Sequence, residues 1–383
     1  MAYVNGMCAD VKKEKRMRIV VNDIAASKTG ALSVLKDFYN YILNNDKENE
    51  WIFVLGDNLL EEKDNIRILI RKDVKAGWGN RLKFDFLTGA KYFEELKPDV
   101  VFSLQNTMPR GYRGKQVLYV HQPLGYQKQK RFSLLKGYER EYAIYQYFIS
   151  RMIDASVKRA DKVIVQTKWM EEAIVNKTGI PGERIKRIMP DIDVPGAYAG
   201  GLDDLKRPVE FFYPAGNILY KNHSLILDAV AILEERGIKD FSVAFTLAEN
   251  EADFLACYKK NDRVKYLGKI SREEVFDKYR KGVLIFPSYI ETFGYPPAEA
   301  RAVNGYVLAS DTPFSREVLE GYQNVAFFNP FNAKELADLM QQILEGKLKK
   351  EMIMPATNEN ACSSWAEVVE EILRTGCEQV HSN

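Results

Sequence analysis

Short apolar, β-branched runs alternate with segments of helical period along almost the whole chain, and between Pro190 and Pro208 the alternation stops. A strand that is apolar at nearly every position is buried on both faces, and two such strands joined through a helix lie parallel in one sheet. Residues 17–23, 51–55, 66–70, 99–104, 116–120 and 162–166 read as strands, with helices at 31–43, 84–96, 137–159 and 168–176. The interruption holds Pro190, Pro195, Gly196, Gly200, Gly201 and Pro208, the composition of a linker. Beyond it the alternation restarts. Strands are expected at 209–214, 241–247, 264–266, 283–286, 306–309 and 325–328, and helices at 222–236, 272–280, 297–303, 333–344 and 365–373.

The expected organisation is α/β throughout: an extension over 1–16, a domain over 17–195, a linker over 196–208, a second domain over 209–362, and a C-terminal helix and tail over 363–383 that packs back on the first domain. In doubly wound sheets ligands sit at the carboxyl ends of the strands, so two such domains present their loops to a shared cleft.

Charge narrows the partners. Lys+Arg is 55 and Asp+Glu is 53, a net charge of +2 that argues against a nucleic-acid footprint over the whole chain. The two halves differ. Residues 1–200 hold 34 basic and 25 acidic side chains, and the remainder 21 and 28, so the first half favours an anionic partner. Cys8, Cys257, Cys362 and Cys377 show no zinc or redox spacing and read as reduced thiols of a cytosolic protein. No apolar run is long enough to span a membrane, and the stretch before Met17 lacks the apolar centre of a signal peptide.

The most informative stretch is Phe286-Pro-Ser-Tyr-Ile-Glu-Thr-Phe-Gly-Tyr-Pro-Pro-Ala-Glu299. It leaves a strand, passes a glycine-containing loop and opens a helix with proline in its first turn. Glu291 falls in the loop and Glu299 on the helix, a spacing that lets both carboxylates face one ligand. The amides of Thr292, Phe293 and Gly294 precede the helix N-terminus, where backbone N–H groups suit phosphate or sugar oxygens. An ordinary strand–loop–helix with two solvated carboxylates is the alternative.

Continued by Ala300, Gly305, Val307 and the Glu317-Val318 pair, this motif resembles the donor-site signature of family 4 glycosyltransferases, the group 1 enzymes. Tyr213-Pro-Ala-Gly-Asn-Ile-Leu-Tyr-Lys-Asn-His223 resembles the strand–loop–helix that opens that family's donor domain. Residues 163–170, followed by 185–193, resemble its run into the linker. The resemblance covers most of the chain and is strongest in the second half. It implies the GT-B fold, two facing Rossmann-like domains with an interdomain cleft. It also implies retaining transfer of a sugar from a UDP- or GDP-sugar to a hydroxyl of a glycan or lipid-pyrophosphate-linked acceptor. Neither cofactor nor metal is implied, and the setting is assembly of a surface polysaccharide (capsule, O-antigen or exopolysaccharide) at the cytoplasmic face of the membrane.

By the same resemblance Glu299 holds the ribose hydroxyls, Glu291 contacts the transferred sugar, and Lys221 neutralises the diphosphate. The family pairs that lysine with an arginine a few positions earlier. Here Asn217 stands nearest, so Lys28 or the amides near Gly30 are the expected substitutes. Ala25–Gly30 resembles the family's glycine-rich first loop, with one glycine where the family has two. Lys269 and Ile270 match a loop that brackets the base. His121 stands where the family places a histidine facing the donor sugar, with a structural loop histidine as the alternative. His223 reads as a packing residue at a helix start and His381 as an inert tail residue. Asp191-Ile-Asp193 looks like a metal-binding Asp-x-Asp but falls at the family's interdomain turn, so no metal is expected there.

The segment 126–148 is basic and aromatic, with Lys128, Lys130, Arg131, Lys136 and Arg140 among Tyr138, Tyr142, Tyr145, Tyr147 and Phe148. It reads either as a solvated helix or as a surface for an anionic leaflet or a lipid-pyrophosphate acceptor. The rival functions are a catalytically weak sugar-nucleotide-binding partner subunit and another GT-B sugar-nucleotide enzyme, an epimerase or an inverting transferase. A nicotinamide dehydrogenase is disfavoured because no G-x-G-x-x-G follows a strand.

Overall fold

The computed structural model describes residues 16–26, 29–195, 205, 207–251, 258, 261–348, 351 and 363–378. The first sheet holds β1 (Arg18–Asp23), β2 (Glu50–Leu55), β3 (Ile66–Ile70), β4 (Val100–Ser103), β5 (Gln116–Tyr119), β6 (Lys162–Val165) and β7 (Ile185–Arg187). Their order is β3-β2-β1-β4-β5-β6-β7, with every pairing parallel. Its helices are α1 (Thr29–Asn45), α2 (Lys72–Lys75), α3 (Trp78–Lys83), α4 (Gly89–Glu95), α5 (Arg140–Ile144), α6 (Ser150–Arg159) and α7 (Lys168–Thr178).

The second sheet holds β8 (Val209–Tyr213), β9 (Phe241–Phe245), β10 (Val264–Tyr266), β11 (Val283–Phe286), β12 (Tyr306–Ser310) and β13 (Val325–Phe328), in the order β10-β9-β8-β11-β12-β13. Its helices are α8 (His223–Glu235), α9 (Arg272–Lys281), α10 (Tyr295–Ala302), α11 (Pro313–Val318) and α12 (Ala333–Leu344). Both orders reverse beside the first strand of the sheet, as in a dinucleotide-binding fold.

The strands are apolar because helices cover both faces. In β1, Ile19 and Val21 join a core with Phe38, Trp51 and Phe53 on one face, while Val20 joins Ile52, Phe84 and Phe93 on the other. The second domain closes around one core with Phe211, Tyr213, Phe245 and Phe286 at its centre. The last helix, α13 (Ser364–Cys377), lays Val368, Val369 and Ile372 on the first sheet, not the second. Its Trp365 meets Phe38 at 5.1 Å and stacks on Tyr119 at 6.0 Å. Asp191 holds the start of that helix, its Oδ2 accepting from the Ser364 N–H and hydroxyl at 2.9 Å each.

The structure corrects several boundaries. The expected helix 84–96 begins at Trp78 and runs through a π-helical turn at Phe84–Thr88, and the expected helix 137–159 begins at Arg140 with a second π turn at Tyr145–Ile149. Helix α1 starts at Thr29, so Gly30 sits in its first turn and not in a loop. β7, at three residues, and α11, at six, are too short to declare a period. No helix among the described residues is long and apolar enough to cross a membrane. Lys28, His381, three of the cysteines, the extension over 1–15 and the glycines of the expected linker lie outside the described residues.

Candidate functional site

In each sheet the chain direction of winding reverses between the two central strands, β1 and β4 in the first, β8 and β11 in the second, and a crevice opens at their carboxyl ends. The loops leaving β8 and β11 bring Lys221 and Glu291 into an ion pair across that point in the second domain. Both are largely buried, with side-chain exposures of 19% and 15%. Ser288 donates its hydroxyl to Glu291 Oε1 at 2.7 Å, on the oxygen that also faces Lys221. The two loops are stitched together. The Tyr289 N–H donates to the Tyr220 carbonyl at 3.1 Å, and the Tyr213 hydroxyl donates to the Lys221 carbonyl at 2.9 Å. Asn222, at φ 62°, ends the Lys221 turn, and its amide donates to the Pro330 carbonyl at 2.7 Å. Lys221 is therefore a cation on a braced backbone, and Glu291 also lines a cavity of about 520 Å³ with Trp169 and Phe314.

Glu299 is buried on α10. Tyr279 donates its hydroxyl to Oε2 at 3.0 Å, and Arg272 pairs with Oε1 at 3.0 Å. Arg272 also donates to the Asp193 carbonyl at 2.6 Å, so one guanidinium ties the carboxylate to the chain entering the linker. Sequence reasoning missed Arg272, which stands 27 positions from its partner with no motif between them. Beside it Tyr295 has its phenol pushed up to about 12 by burial and by the charges of Asp37, Glu299 and Asp191.

The Thr292–Gly294 loop enters α10 through Gly294, whose φ of 89° favours glycine. Pro296 and Pro297 then remove two N–H groups from the first turn, so the free amides of this helix start are concentrated in the loop before it. The Thr292 carbonyl points to the other domain, accepting from Thr167 Oγ1 and Trp169 Nε1 at 2.8 Å each. Glu317 caps α7 across the cleft, taking the N–H groups of Lys168 at 2.6 Å and Trp169 at 3.0 Å. A helix start capped by the partner domain couples domain position to local stability. Glu317→Ala is expected to cost about 1 kcal/mol in urea unfolding and to broaden the solution scattering envelope.

The remaining expected residues are dispersed. Asn217 is exposed and donates its amide to the Glu251 carbonyl at 2.9 Å. Lys269 is exposed, while Ile270 packs on the core beside Gly268, which has φ 64°. His121 follows β5, its N–H donating to Asn106 Oδ1 at 2.7 Å and its ring edge-on to Tyr119. Burial pulls its pKa down to about 4, so the imidazole is neutral. Among the described residues no three His, Cys, Asp or Glu side chains stand close enough to hold a metal ion.

His223 opens α8 and is 1% exposed, with Tyr213 and Phe245 rings at 4.9 and 5.2 Å. Burial holds its pKa near 4, against an ordinary 6.5. Between those values the unfolded chain binds the extra proton, so this group makes stability fall as pH drops from 6.5 toward 4. Asp23 works in the opposite sense. Burial pushes its carboxyl up to about 7 from 3.8, so it gains stability as pH falls through that window. The expected contribution of His223 between pH 7 and pH 5 is a loss of about 2 kcal/mol, measured as the difference in urea stability between wild type and His223→Phe.

The segment 126–148 divides. Phe132 and Tyr142 pack with Tyr289 and Ile290 of the second domain, and the Tyr142 hydroxyl accepts from the Leu219 N–H at 3.3 Å. Lys130 pairs with Glu139 at 3.1 Å. Leu135 and Tyr138 stand out in solvent. Part of the segment, around Phe132 and Tyr142, is thus an interdomain contact.

Residues 206–359 match the family described as glycosyl transferases group 1. Over 209 residues the chain is 26% identical to the O-antigen chain mannosyltransferase RfbU of Salmonella typhimurium (strain LT2), covering 52% of this chain and 55% of that protein. The chain spans about half the length of the curated relatives it matches. The apo form of the lipopolysaccharide outer core galactosyltransferase WaaB superposes with a TM-score of 0.63 at 16% identity, over 94% of this chain and 99% of that one. Anabaena Alr3699/HepE in complex with UDP-glucose superposes with a TM-score of 0.59 at 15% identity, over 94% and 97%. The fold is GT-B.

Proposed function

We propose that this chain, whose residues 206–359 match the group 1 glycosyl transferases, moves a sugar from a nucleoside-diphosphate sugar to a hydroxyl of a glycan or lipid-linked acceptor. The observation that carries this reading is the Lys221–Glu291 pair, braced across the switch point of the second sheet. Lys221 offers a fixed cation to the departing diphosphate and Glu291 a carboxylate to the sugar, while Glu299 takes the ribose hydroxyls in exchange for Arg272. The acceptor oxygen bonds to the anomeric carbon as the bond to the diphosphate breaks. On the retaining path the departing phosphate oxygen takes the acceptor proton on the same face. No metal is needed, because Lys221 and the loop amides of Thr292, Phe293 and Gly294 meet the growing charge. His121, neutral at the working pH, contributes polar contact to the sugar and no formal charge.

The UDP-glucose held by one structural relative supports a UDP-sugar donor, with GDP-sugars as the next class. An O-antigen chain mannosyltransferase and an outer core galactosyltransferase among the similar proteins support a role in surface polysaccharide assembly in the cytoplasm. Peripheral contact with an anionic leaflet would use Leu135 and Tyr138 with Lys136 and Arg140. The amide of Asn217, turned toward Glu251, favours one second reading, a weakly catalytic sugar-nucleotide-binding subunit. A panel of UDP- and GDP-sugars assayed for nucleotide release separates the two. One donor should turn over, with the anomeric configuration kept in the product by NMR. Binding without turnover of any donor supports the subunit reading.

A further inference from the structure

The loop that precedes α10 is held from outside its own domain. Both lone pairs of the Thr292 carbonyl are taken by the first domain, one by the Thr167 hydroxyl and one by the Trp169 indole N–H, at 2.8 Å each. Thr167 stands at the N-cap of α7, where a threonine side chain ordinarily accepts from an N–H of its own helix. It makes no such bond. The Lys168 and Trp169 amides go instead to Glu317 of the second domain, which frees the Thr167 hydroxyl to donate across the cleft. Trp169 is fixed at three points: its backbone N–H on Glu317, its ring beside Phe314 at 6.4 Å, and its indole N–H on Thr292.

This grip sets the far edge of the same peptide. The Thr292–Phe293 unit is planar and trans, so its carbonyl and its N–H point in opposite directions. With the carbonyl pinned toward α7, the Phe293 N–H faces away from the first domain. The other end of the plane is anchored too, by the Phe293 ring among Ala298, Val318 and Ile192. Two donors on the carbonyl also polarise the peptide and make its N–H a stronger donor. Phe293 is 2% exposed, and among the described residues its N–H has no acceptor. A buried N–H in that state is costly unless a ligand meets it.

We propose that Thr167 and Trp169 are positioning residues for sugar transfer: lent by the first domain, they hold the Thr292–Phe293 peptide so that the Phe293 N–H meets an oxygen of the departing diphosphate. The role rests on the glycosyltransferase reading, since it needs a diphosphate in the cleft. It makes the donor site whole only while the first domain stands against it, so the leaving group is stabilised when the two domains meet and not when they part.

NMR and kinetics test it together. In the chain isotope-labelled at its phenylalanine amide nitrogens, saturating UDP (or GDP, if UDP does not bind) should move the Phe293 amide proton downfield. In Thr167→Val/Trp169→Phe most of that displacement should vanish, although calorimetry still finds the nucleotide bound. Tyr142→Phe removes a different interdomain contact, the acceptor of the Leu219 N–H, and should keep the displacement. In turnover each single variant should lower kcat by about 10-fold and the pair by about 100-fold, with a far smaller change in donor KM. Thr167→Ser keeps the hydroxyl and should turn over like wild type. Melting curves report whether each variant folds. An unmoved Phe293 amide in nucleotide-saturated wild type overturns the role, as does equal displacement or equal kcat in wild type and the double variant. Loss of the displacement in Tyr142→Phe as well overturns it in favour of a general interdomain brace. A displacement that depends on Thr167 and Trp169 in a chain that turns over no donor upholds the geometry and removes the glycosyltransferase reading. Binding of neither nucleotide removes both.

Discussion

Replacing Lys221 by alanine is expected to lower kcat on the best donor by about 10²–10³-fold, on the order of 3 kcal/mol, with a far smaller change in KM. In the proposed reaction charge grows on the departing diphosphate as its bond to the sugar breaks, so the ammonium would do most for the transition state. Its placement depends on the Tyr213 hydroxyl and on Asn222, which hold the turn with or without the lysine side chain. The fold should therefore survive. The removal also leaves the Glu291 carboxylate, 15% exposed, without its cation, so a melting curve must accompany the kinetics. Lys221→Arg keeps the charge but spreads it over a planar fork that does not match the single-point contact to Glu291, and partial recovery is expected. Unchanged kcat in Lys221→Ala would remove this residue from catalysis.

The second large effect falls on donor binding. Glu299→Ala should raise the donor Kd about 100-fold, the loss of two charge-assisted hydrogen bonds at roughly 1.5 kcal/mol each. The alanine variant also strands the Tyr279 hydroxyl and leaves Arg272 with the Asp193 carbonyl but without its carboxylate partner. Glu299→Gln is the cleaner variant. It keeps one acceptor oxygen and is expected to cost about 10-fold, with kcat at saturation nearly unchanged. Arg272→Ala, by contrast, should tighten donor binding, since the ribose no longer competes with that ion pair.

Much of this architecture was legible because it rests on local chemistry. Apolar runs such as Val283–Phe286 must be buried on both faces, and the structure buries every residue of that strand. Gly294 and the two prolines after it announce a loop that turns into a helix, and they form one. What could not be read depends on distance in sequence. Arg272 reaches Glu299 from another helix, and Glu317 caps a helix of the other domain 149 positions away. Glu317 is visible as part of a motif, yet nothing in its neighbourhood tells that its partners are the amides of Lys168 and Trp169. The π turns at 84–88 and 145–149 leave no periodic trace, since one inserted residue shifts the apolar stripe without abolishing it. Gly30 was misplaced for a related reason: small residues before a helix look alike whether they lie in the loop or in the first turn.

We propose that Lys221, Glu291 and Glu299 form a metal-independent nucleoside-diphosphate site in the second domain. Titration calorimetry of UDP and GDP into the wild-type chain and into Glu299→Gln, with EDTA present throughout, tests it most directly. The account predicts one saturable site for one of the two nucleotides in the wild-type chain, weakened about 10-fold in the variant. Equal affinity in both proteins, or binding that appears only when a divalent cation is restored, would contradict it.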